Sequence, residues 1–271
     1  MALSSRIEAL QRDAIVASLG ATAKLTVEVV DAIDSTNSEL SRRAALQDVH
    51  RHALAAEAQT AGRGRRGRVW TAIAGGSITF SLGWRFEQGA GHLSGLTLAV
   101  GLAVARALEA HGFAGIELKW PNDLVHRRAK LGGILVELTG DALGPSLAII
   151  GVGLNVVLPA AARRGIDQAA TDLAAVARRR PIDRNRLLAR ILTELAAVLD
   201  VFAARGFAPL RVDWQRRHVL QRKAVEVLLP DGRSARGEVV GVDAEGALVV
   251  DNSGQRLRFL SGEVSLVRAD Q

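Results

Sequence analysis

The chain has 271 residues, of which 48% are hydrophobic and 23% charged, with a formal net charge of +7, a composition ordinary for one large globular domain or a main domain with a small appendage. The absence of cysteine excludes disulfides, thiolate catalysis and cysteine-bound zinc or clusters, and the six histidines, at positions 50, 52, 92, 111, 126 and 218, lack metal-binding spacing. The apolar-looking run 93–108 is interrupted by Gly95, Thr97, Gly101 and Arg106 and is too short and polar to cross a bilayer; with no secretion-signal layout at the start, the expected compartment is the cytoplasm.

Taken in order, residues 3–19 place Leu3, Ile7, Leu10 and Ala14 on one helical stripe, with Gly20 as the C-cap. A DNA-binding helix-turn-helix module needs about three helices, and the stretch before the first polar motif has room for one. Residues 25–30 read as a strand. Asp34-Ser35-Thr36-Asn37 then opens a helix running toward Arg51, with Asp34, Ser35 or Thr36 a natural N-cap. Residues 53–58 form a short buried strand that delivers Gln59 and the segment Gly62-Arg63-Gly64-Arg65-Arg66-Gly67-Arg68.

Four guanidinium groups fall within those seven residues, and the glycines between them free the backbone to fold around an anion and expose its N–H groups. The same composition fits a solvated basic loop or a tract that binds nucleic-acid backbone. Residues 77–84 are the next strand, and His92 or Ser94 opens an apolar helix closing near Gly112. A strand at 116–119 runs into the turn Trp120-Pro121-Asn122-Asp123.

Strands at 130–138 and 147–152 follow, the second ending in Gly151-Val152-Gly153-Leu154-Asn155. From 169 to 217 the pattern turns helical, broken by Pro181, recapped by Asp183 and ended by Gly206. Strands first and helices later make the main domain α+β. Beyond Arg222 come short β runs at 224–229, 235–242, 247–251 and 256–260, separated by Asp231-Gly232, Glu245-Gly246 and Ser253-Gly254. So many short strands in about fifty residues imply a small barrel, dividing the chain into 1–221 and 222–271.

Together these segments resemble the biotin protein ligase family in its monofunctional form, without the DNA-binding head and hence without a repressor role. The matching residues are Asp34-Ser35-Thr36-Asn37, Gln59-Thr60-Ala61 with the arginine segment, Lys119-Trp120-Pro121-Asn122-Asp123-Leu124, Lys130-Leu131-Gly132-Gly133-Ile134-Leu135-Val136-Glu137, Gly151-Val152-Gly153-Leu154-Asn155 and Gly262-Glu263-Val264-Ser265-Leu266. The resemblance implies a mixed-sheet catalytic domain of the class II aminoacyl-tRNA synthetase/biotin ligase type followed by an SH3-like β-barrel. It also implies a two-step reaction: biotin and ATP give biotinyl-5′-AMP and pyrophosphate, and the anhydride then acylates a lysine of a biotin carboxyl carrier domain.

Carried over residue by residue, the resemblance puts Ser35, Thr36, Asn37 and Gln59 around the biotin end, with Arg63, Gly64, Arg65, Lys130, Gly132 and Gly133 completing that site. Arg63, Arg65, Arg66, Arg68, Trp70, Lys119, Asn122 and Asn155 are implied as ATP-binding, with Mg²⁺ accompanying the nucleotide and no metal held by protein alone. Trp70 is expected near the adenine and Asn155 on it; a core tryptophan and a turn asparagine are the competing accounts. Lys130, Arg65, Lys119 and Asp123 are implied as catalytic, Asp123 orienting Lys119, Mg²⁺ or the acceptor lysine. Joining a carboxylate to an α-phosphate requires positive charge where the two anions meet, which Lys130 and the arginines supply. The arginine loop is expected to be mobile when empty and ordered over ligand.

Two positions depart from the family pattern: Val69 stands where a basic residue is common, and Gly133 where alanine is. A lipoate ligase is an alternative, although hydroxyl and amide side chains suit a ureido ring, which lipoate lacks. A basic nucleic-acid-binding module is another, against which stands the lack of tyrosine and a barrel with Phe259 as its one aromatic. A monomer and a homodimer are both compatible with the sequence.

Overall fold

The computed structural model describes residues 8–141, 143–164, 166, 168–178 and 180–267. Leu3 and Ile7 of the expected first helix lie outside these residues. The helix itself, α1, is Arg12–Ala17 with Ile15 buried, and its C-cap is Ser18 rather than Gly20. Gly20 serves instead as a contact point, because a Cβ there would stand 2.6 Å from Thr193 Cγ2.

The elements that follow are β1 (Thr26–Ile33), α2 (Thr36–Ala44), β2 (His52–Gln59), β3 (Ser77–Phe86), α3 (Leu96–Ala110), β4 (Glu117–Lys119), β5 (Asp123–His126), β6 (Ala129–Gly140) and β7 (Ser146–Asn155). Short helices α4 (Ala160–Arg164) and α5 (Leu173–Val176) precede the long α6 (Arg184–Arg205), and α7 (Arg211–Arg216) leads to strands β8 (Ala224–Leu228), β9 (Ser234–Val242), β10 (Leu248–Asn252), β11 (Gln255–Phe259) and β12 (Glu263–Leu266).

Helix α2 ends at Ala44, short of Arg51, because the chain turns to bury Val49 beside Leu40 and Leu54 and Asp48 Oδ1 accepts from His50 N at 2.9 Å. The cap of α6 is Asp183, which accepts from Arg186 N, and Gly206 ends the helix at φ 65°, as expected. The four-residue β5 and the helix α4 were not foreseen.

The large sheet runs β1-β2-β3-β7-β6-β5-β4; β1 and β2 are parallel and the other neighbours antiparallel. Period-two alternation gives it two unlike faces. Ile78, Phe80, Leu82, Trp84, Ala148, Ile150, Val152 and Leu154 join one core with α3 and α6. The opposite face carries Thr79 and Ser81 on β3 and Gly151 and Gly153 on β7, paired Thr79 with Gly153 and Ser81 with Gly151.

The second sheet, β11-β10-β9-β8-β12, is antiparallel throughout. Its turns use Gly232, Gly246 and Gly254 at φ 85°, 81° and 90°, the left-handed region glycine enters without cost. The barrel packs against the large sheet's domain, and the hydrophobic core runs continuously into Val225, Val227 and Val250. Trp120 Nε1 donates to Gly246 O at 3.1 Å, so this tryptophan is scaffold between the two sheets. At the other end a buried ion pair, Arg184 to Glu57 at 2.7 Å, ties the N-terminal segment down through Arg184 to Glu8 O. Burial alone would raise the Glu57 pKa; hydrogen bonds from Arg184 and from the N–H groups of Leu10 and Gly75 outweigh it and leave it below the ordinary value.

Candidate active site

A cavity of about 710 Å³ opens on the glycine-bearing face of the large sheet. Its floor exists because three neighbouring positions have no side chain: Gly133 on β6 pairs with Gly153 on β7, and Gly151 lies two residues away. A Cβ on Gly153 would stand 2.2 Å from Trp70 Cε2, and one on Gly151 would stand 2.2 Å from Asn37 Oδ1. The indole of Trp70 therefore lies flat against bare backbone. Its Nε1 is buried and has no partner among the described residues.

At one end of the cavity the N-terminus of α2 meets the end of β2. Ser35 is the N-cap and accepts from Ser38 N. Thr36 N and Thr36 Oγ1 both approach Gln59 Oε1, at 2.8 and 3.1 Å. Ser81 Oγ lies 2.7 Å from Thr36 Oγ1 and 2.5 Å from Asn37 Oδ1. Asn37 Nδ2 donates to Glu137 Oε2 at 2.8 Å and to Leu135 O at 3.4 Å. Both Asn37 amide protons are thus directed at protein acceptors.

The arginine segment folds back on itself as a small hairpin: Gly64 N donates to Arg68 O, Trp70 N to Gly62 O, and Arg63 bridges Val69. A Cβ at Gly62 would meet Trp70 O at 2.2 Å, so the neck of the hairpin requires glycine. Arg63 pairs with Glu137 at 2.6 Å. Arg65 reaches inward to Asn122 Oδ1 at 3.2 Å; Asn122 is itself fixed by donating to Ile134 O at 3.0 Å. Burial pushes the Arg65 pKa down, with Arg66 acting in the same direction, so its guanidinium is desolvated among like charges and gains from any anion placed beside it.

Lys130 stands opposite, at the entrance to β6. Its backbone is held on both sides, Lys130 N donating to Ala169 O and Thr171 N to Lys130 O. The Nζ is 2.9 Å from Asp123 Oδ1, a charge contact without hydrogen-bond alignment, and both side chains are largely shielded, at 18% and 17% exposure. A Cβ on Gly133 would come within 3.5 Å of that ammonium. The carboxylate of Asp123 thus lies against Lys130, where the sequence pointed to Lys119, Mg²⁺ or the acceptor lysine.

Of the residues expected at the site, Ser35, Thr36, Asn37, Gln59, Arg63, Gly64, Arg65, Arg68, Trp70, Lys119, Asn122, Asp123, Lys130, Gly133 and Asn155 all line this cavity. Two do not. Arg66, at φ 56°, pairs with Glu263 at 3.3 Å without itself lining the cavity. Gly132 faces the neighbouring strand, where a Cβ would lie 2.7 Å from Gly153 O. Asn155 donates to Thr171 O at 3.0 Å. Arg68 pairs with Glu263 of the barrel, and that guanidinium holds the Glu263 carboxyl below its ordinary range.

Glu137, Ser81, Thr79 and Glu263 are among the polar residues that sequence reading left without a role. For Thr79 and Ser81 the available signal was the alternation Ser77-Ile78-Thr79-Phe80-Ser81-Leu82, which sends polar groups to the face opposite the core. Glu137 and Glu263 carry no local signal, since their partners are 74 and 195 residues away.

Residues 29–155 match the family model described as biotin/lipoate A/B protein ligase, and residues 223–267 match that of the biotin protein ligase C-terminal domain. The bifunctional ligase/repressor BirA of Escherichia coli is 35% identical over 91% of this chain and 75% of its own length. The biotin--[acetyl-CoA-carboxylase] ligase of Mycobacterium tuberculosis is 38% identical over 89% of each chain. The biotin protein ligase of Aquifex aeolicus, solved in complex with biotin and ATP, superposes with a TM-score of 0.75 at 27% identity, covering 90% of this chain and 99% of that one. The class is thus that of the biotin and lipoate ligases, with a glycine-floored cavity under a cationic hairpin. Within it, the chain belongs to the biotin protein ligase family.

Proposed function

We infer that the protein activates biotin with ATP as biotinyl-5′-AMP and transfers the biotinyl group to one lysine of a biotin carboxyl carrier domain. The observation that carries this is the convergence in one cavity of a hydroxyl and amide niche (Thr36, Gln59) with three cations, Arg63, Arg65 and Lys130. A ureido ring offers one strong acceptor and two donors, which the niche complements. The valerate carboxylate then points along the glycine floor toward Lys130.

In the first step a biotin carboxylate oxygen bonds to the α-phosphorus and pyrophosphate leaves. Two anions must approach, and a cation about 4 Å from the developing charge is worth about 4 kcal/mol at an effective dielectric near 20. If felt mainly in the transition state, this amounts to roughly three decades of rate. Lys130 is held for this by Asp123 and its own backbone bridge, Arg65 by Asn122. Arg63 reaches the carboxylate by exchanging Glu137 for it. Trp70, flat on Gly153, offers its face to the adenine, with Asn155 and Lys119 beside it.

The nucleotide brings Mg²⁺, whose charge offsets that of the departing phosphates; among the described residues there is no group of three or more acidic or histidine side chains able to hold a metal ion. In the second step the acceptor amine attacks the acyl carbon and AMP leaves, and the proton shed by the amine needs a nearby acceptor. Asp123 and Glu263 are the carboxylates of the cavity wall, each beside a cation, Lys130 and Arg68; Asp123, whose Oδ1 accepts no hydrogen bond among the described residues, is assigned to steer the lysine and to take the proton that its amine sheds. The arginine hairpin opens to admit biotin and closes over the anhydride, keeping water from it.

The test is exchange of labelled pyrophosphate into ATP. Exchange that requires biotin, is not supported by lipoate, and falls by about three decades in Lys130→Ala is expected. Folded protein that shows no biotin-dependent exchange contradicts the reading, and undiminished exchange in Lys130→Ala removes the role given to that ammonium.

A further inference from the structure

Behind the niche runs a chain of polar contacts from Glu137 through Asn37, Ser81 and Thr36 to Gln59. Ser81 is 0% exposed, Thr36 2% and Asn37 4%, so the middle of this chain is shielded from bulk solvent and its groups find their partners in one another, while its Thr36–Gln59 end faces the cavity. Three oxygen–oxygen contacts, of 2.5, 2.7 and 3.1 Å, link Asn37, Ser81, Thr36 and Gln59 in turn. Only two hydroxyl protons, those of Ser81 and Thr36, exist to serve them. One contact must therefore go without.

Glu137 decides which. An ionised carboxylate only accepts, so the Asn37 edge 2.8 Å from Glu137 Oε2 is the amide NH₂, and the edge facing Ser81 is the carbonyl oxygen. Ser81 then gives its proton to Asn37, and Thr36, 2.7 Å from the Ser81 oxygen and 3.1 Å from Gln59 Oε1, gives its own to the nearer one, where two unprotonated oxygens would repel most. Thr36 Oγ1 and Gln59 Oε1 are left facing each other with no hydroxyl proton between them. This is the longest of the three contacts, as two facing acceptors require. Gln59 Oε1 keeps only the backbone N–H of Thr36, at 2.8 Å.

We propose that Glu137 is a positioning residue that sets the direction of this hydrogen-bond chain and so holds open a two-acceptor notch, Thr36 Oγ1 with Gln59 Oε1, for a ureido N–H of biotin. The proposal rests on the ligase reading above. Were the Asn37 amide reversed, Ser81 would donate to Thr36 and Thr36 to Gln59, and the protein's own proton would fill the notch. Glu137 also pairs with Arg63, and the two roles separate by chemistry. Glutamine in its place still offers Asn37 an acceptor oxygen but gives up the charge that holds Arg63.

The experiment is equilibrium binding of biotin, of biotin methylated on a ureido nitrogen, and of ATP to the purified protein and three variants. Glu137→Ala is expected to weaken biotin about tenfold, the scale of one charge-assisted hydrogen bond lost from a buried network, and to leave ATP within about twofold. Glu137→Gln should recover biotin binding to within about threefold. Ser81→Ala, which removes the middle link, should match Glu137→Ala, and both should discriminate less than wild type against the methylated ring. Biotin binding unchanged in Glu137→Ala overturns the proposal. So does a Glu137→Gln variant as weak as Glu137→Ala, which assigns the effect to Arg63. If Glu137→Ala does not fold, wild-type affinity in Ser81→Ala has the same force. Wild-type protein that binds no biotin contradicts the ligase reading itself, whereas intact wild-type binding with indifferent variants contradicts this inference alone.

Discussion

His218 sits at 5% exposure just after α7, its ring 4.8 Å from that of Trp214, and neither ring nitrogen has a hydrogen-bond partner among the described residues. Burial lowers its pKa from the ordinary 6.5 to about 4. A base whose folded pKa is depressed takes up its proton more readily in the unfolded chain. Stability is therefore complete above about pH 6.5 and is lost as pH falls from there toward 4. Between pH 7.5 and 5 this one group should cost about 2 kcal/mol. Denaturant titrations of wild type and His218→Phe at the two pH values check it: the variant is expected to lose about 2 kcal/mol less, and identical losses would refute the assignment. In sequence this histidine is an isolated ring without ligand spacing, and its place in the fold is set by Trp214 beside it and by a bridge to Leu118, a hundred residues away in the chain. Lys130 and the arginines were legible because glycines flank them; Glu137 was not, because its meaning arises only when Asn37 is brought across the sheet.

Among elements, β7 does most to create the site. In its second half, Ile150, Val152 and Leu154 join the main core while Gly151 and Gly153 between them form the cavity floor. That division was visible in the alternating Ile150-Gly151-Val152-Gly153-Leu154, and the polar alternation of β3 beside it was equally available. The short β5 was hidden, since four residues after a turn carry too little periodicity to register. Helix α2 is shorter than its sequence suggests, because the stretch after Ala44 stays helix-compatible and only the tertiary demand to bury Val49 ends it. The floor offers a direct test: Gly153→Ala places a methyl 2.2 Å from the Trp70 ring and must displace it. Saturation of pyrophosphate exchange by ATP should then require at least about tenfold more nucleotide, with folding weakened by about 1–3 kcal/mol. Unaltered ATP saturation would show that Trp70 has no part in holding the nucleotide.

At the scale of the whole molecule, the barrel is joined to the cavity as well as to the core. Glu263 on β12 takes Arg66 and Arg68 of the arginine hairpin, and Glu263, Val264 and Ser265 line the cavity, so the C-terminal sheet forms part of the site's wall. No helix of the described residues is long and apolar enough to cross a membrane. Domain order and barrel were readable from composition and turn signals; the clasp between barrel and hairpin was not, since surface charges reveal no partners before the chain folds. The molecule brings a cationic hairpin and the Lys130 ammonium to one cavity, where the proposed function joins two negatively charged reactants. A crystal structure grown with biotin and a non-hydrolysable ATP analogue tests this most directly: the carboxylate and α-phosphate should lie within about 4 Å of Lys130, Arg63 and Arg65, with Arg63 released from Glu137. Ligands bound elsewhere, or lying in the cavity with those three cations turned away, would contradict it.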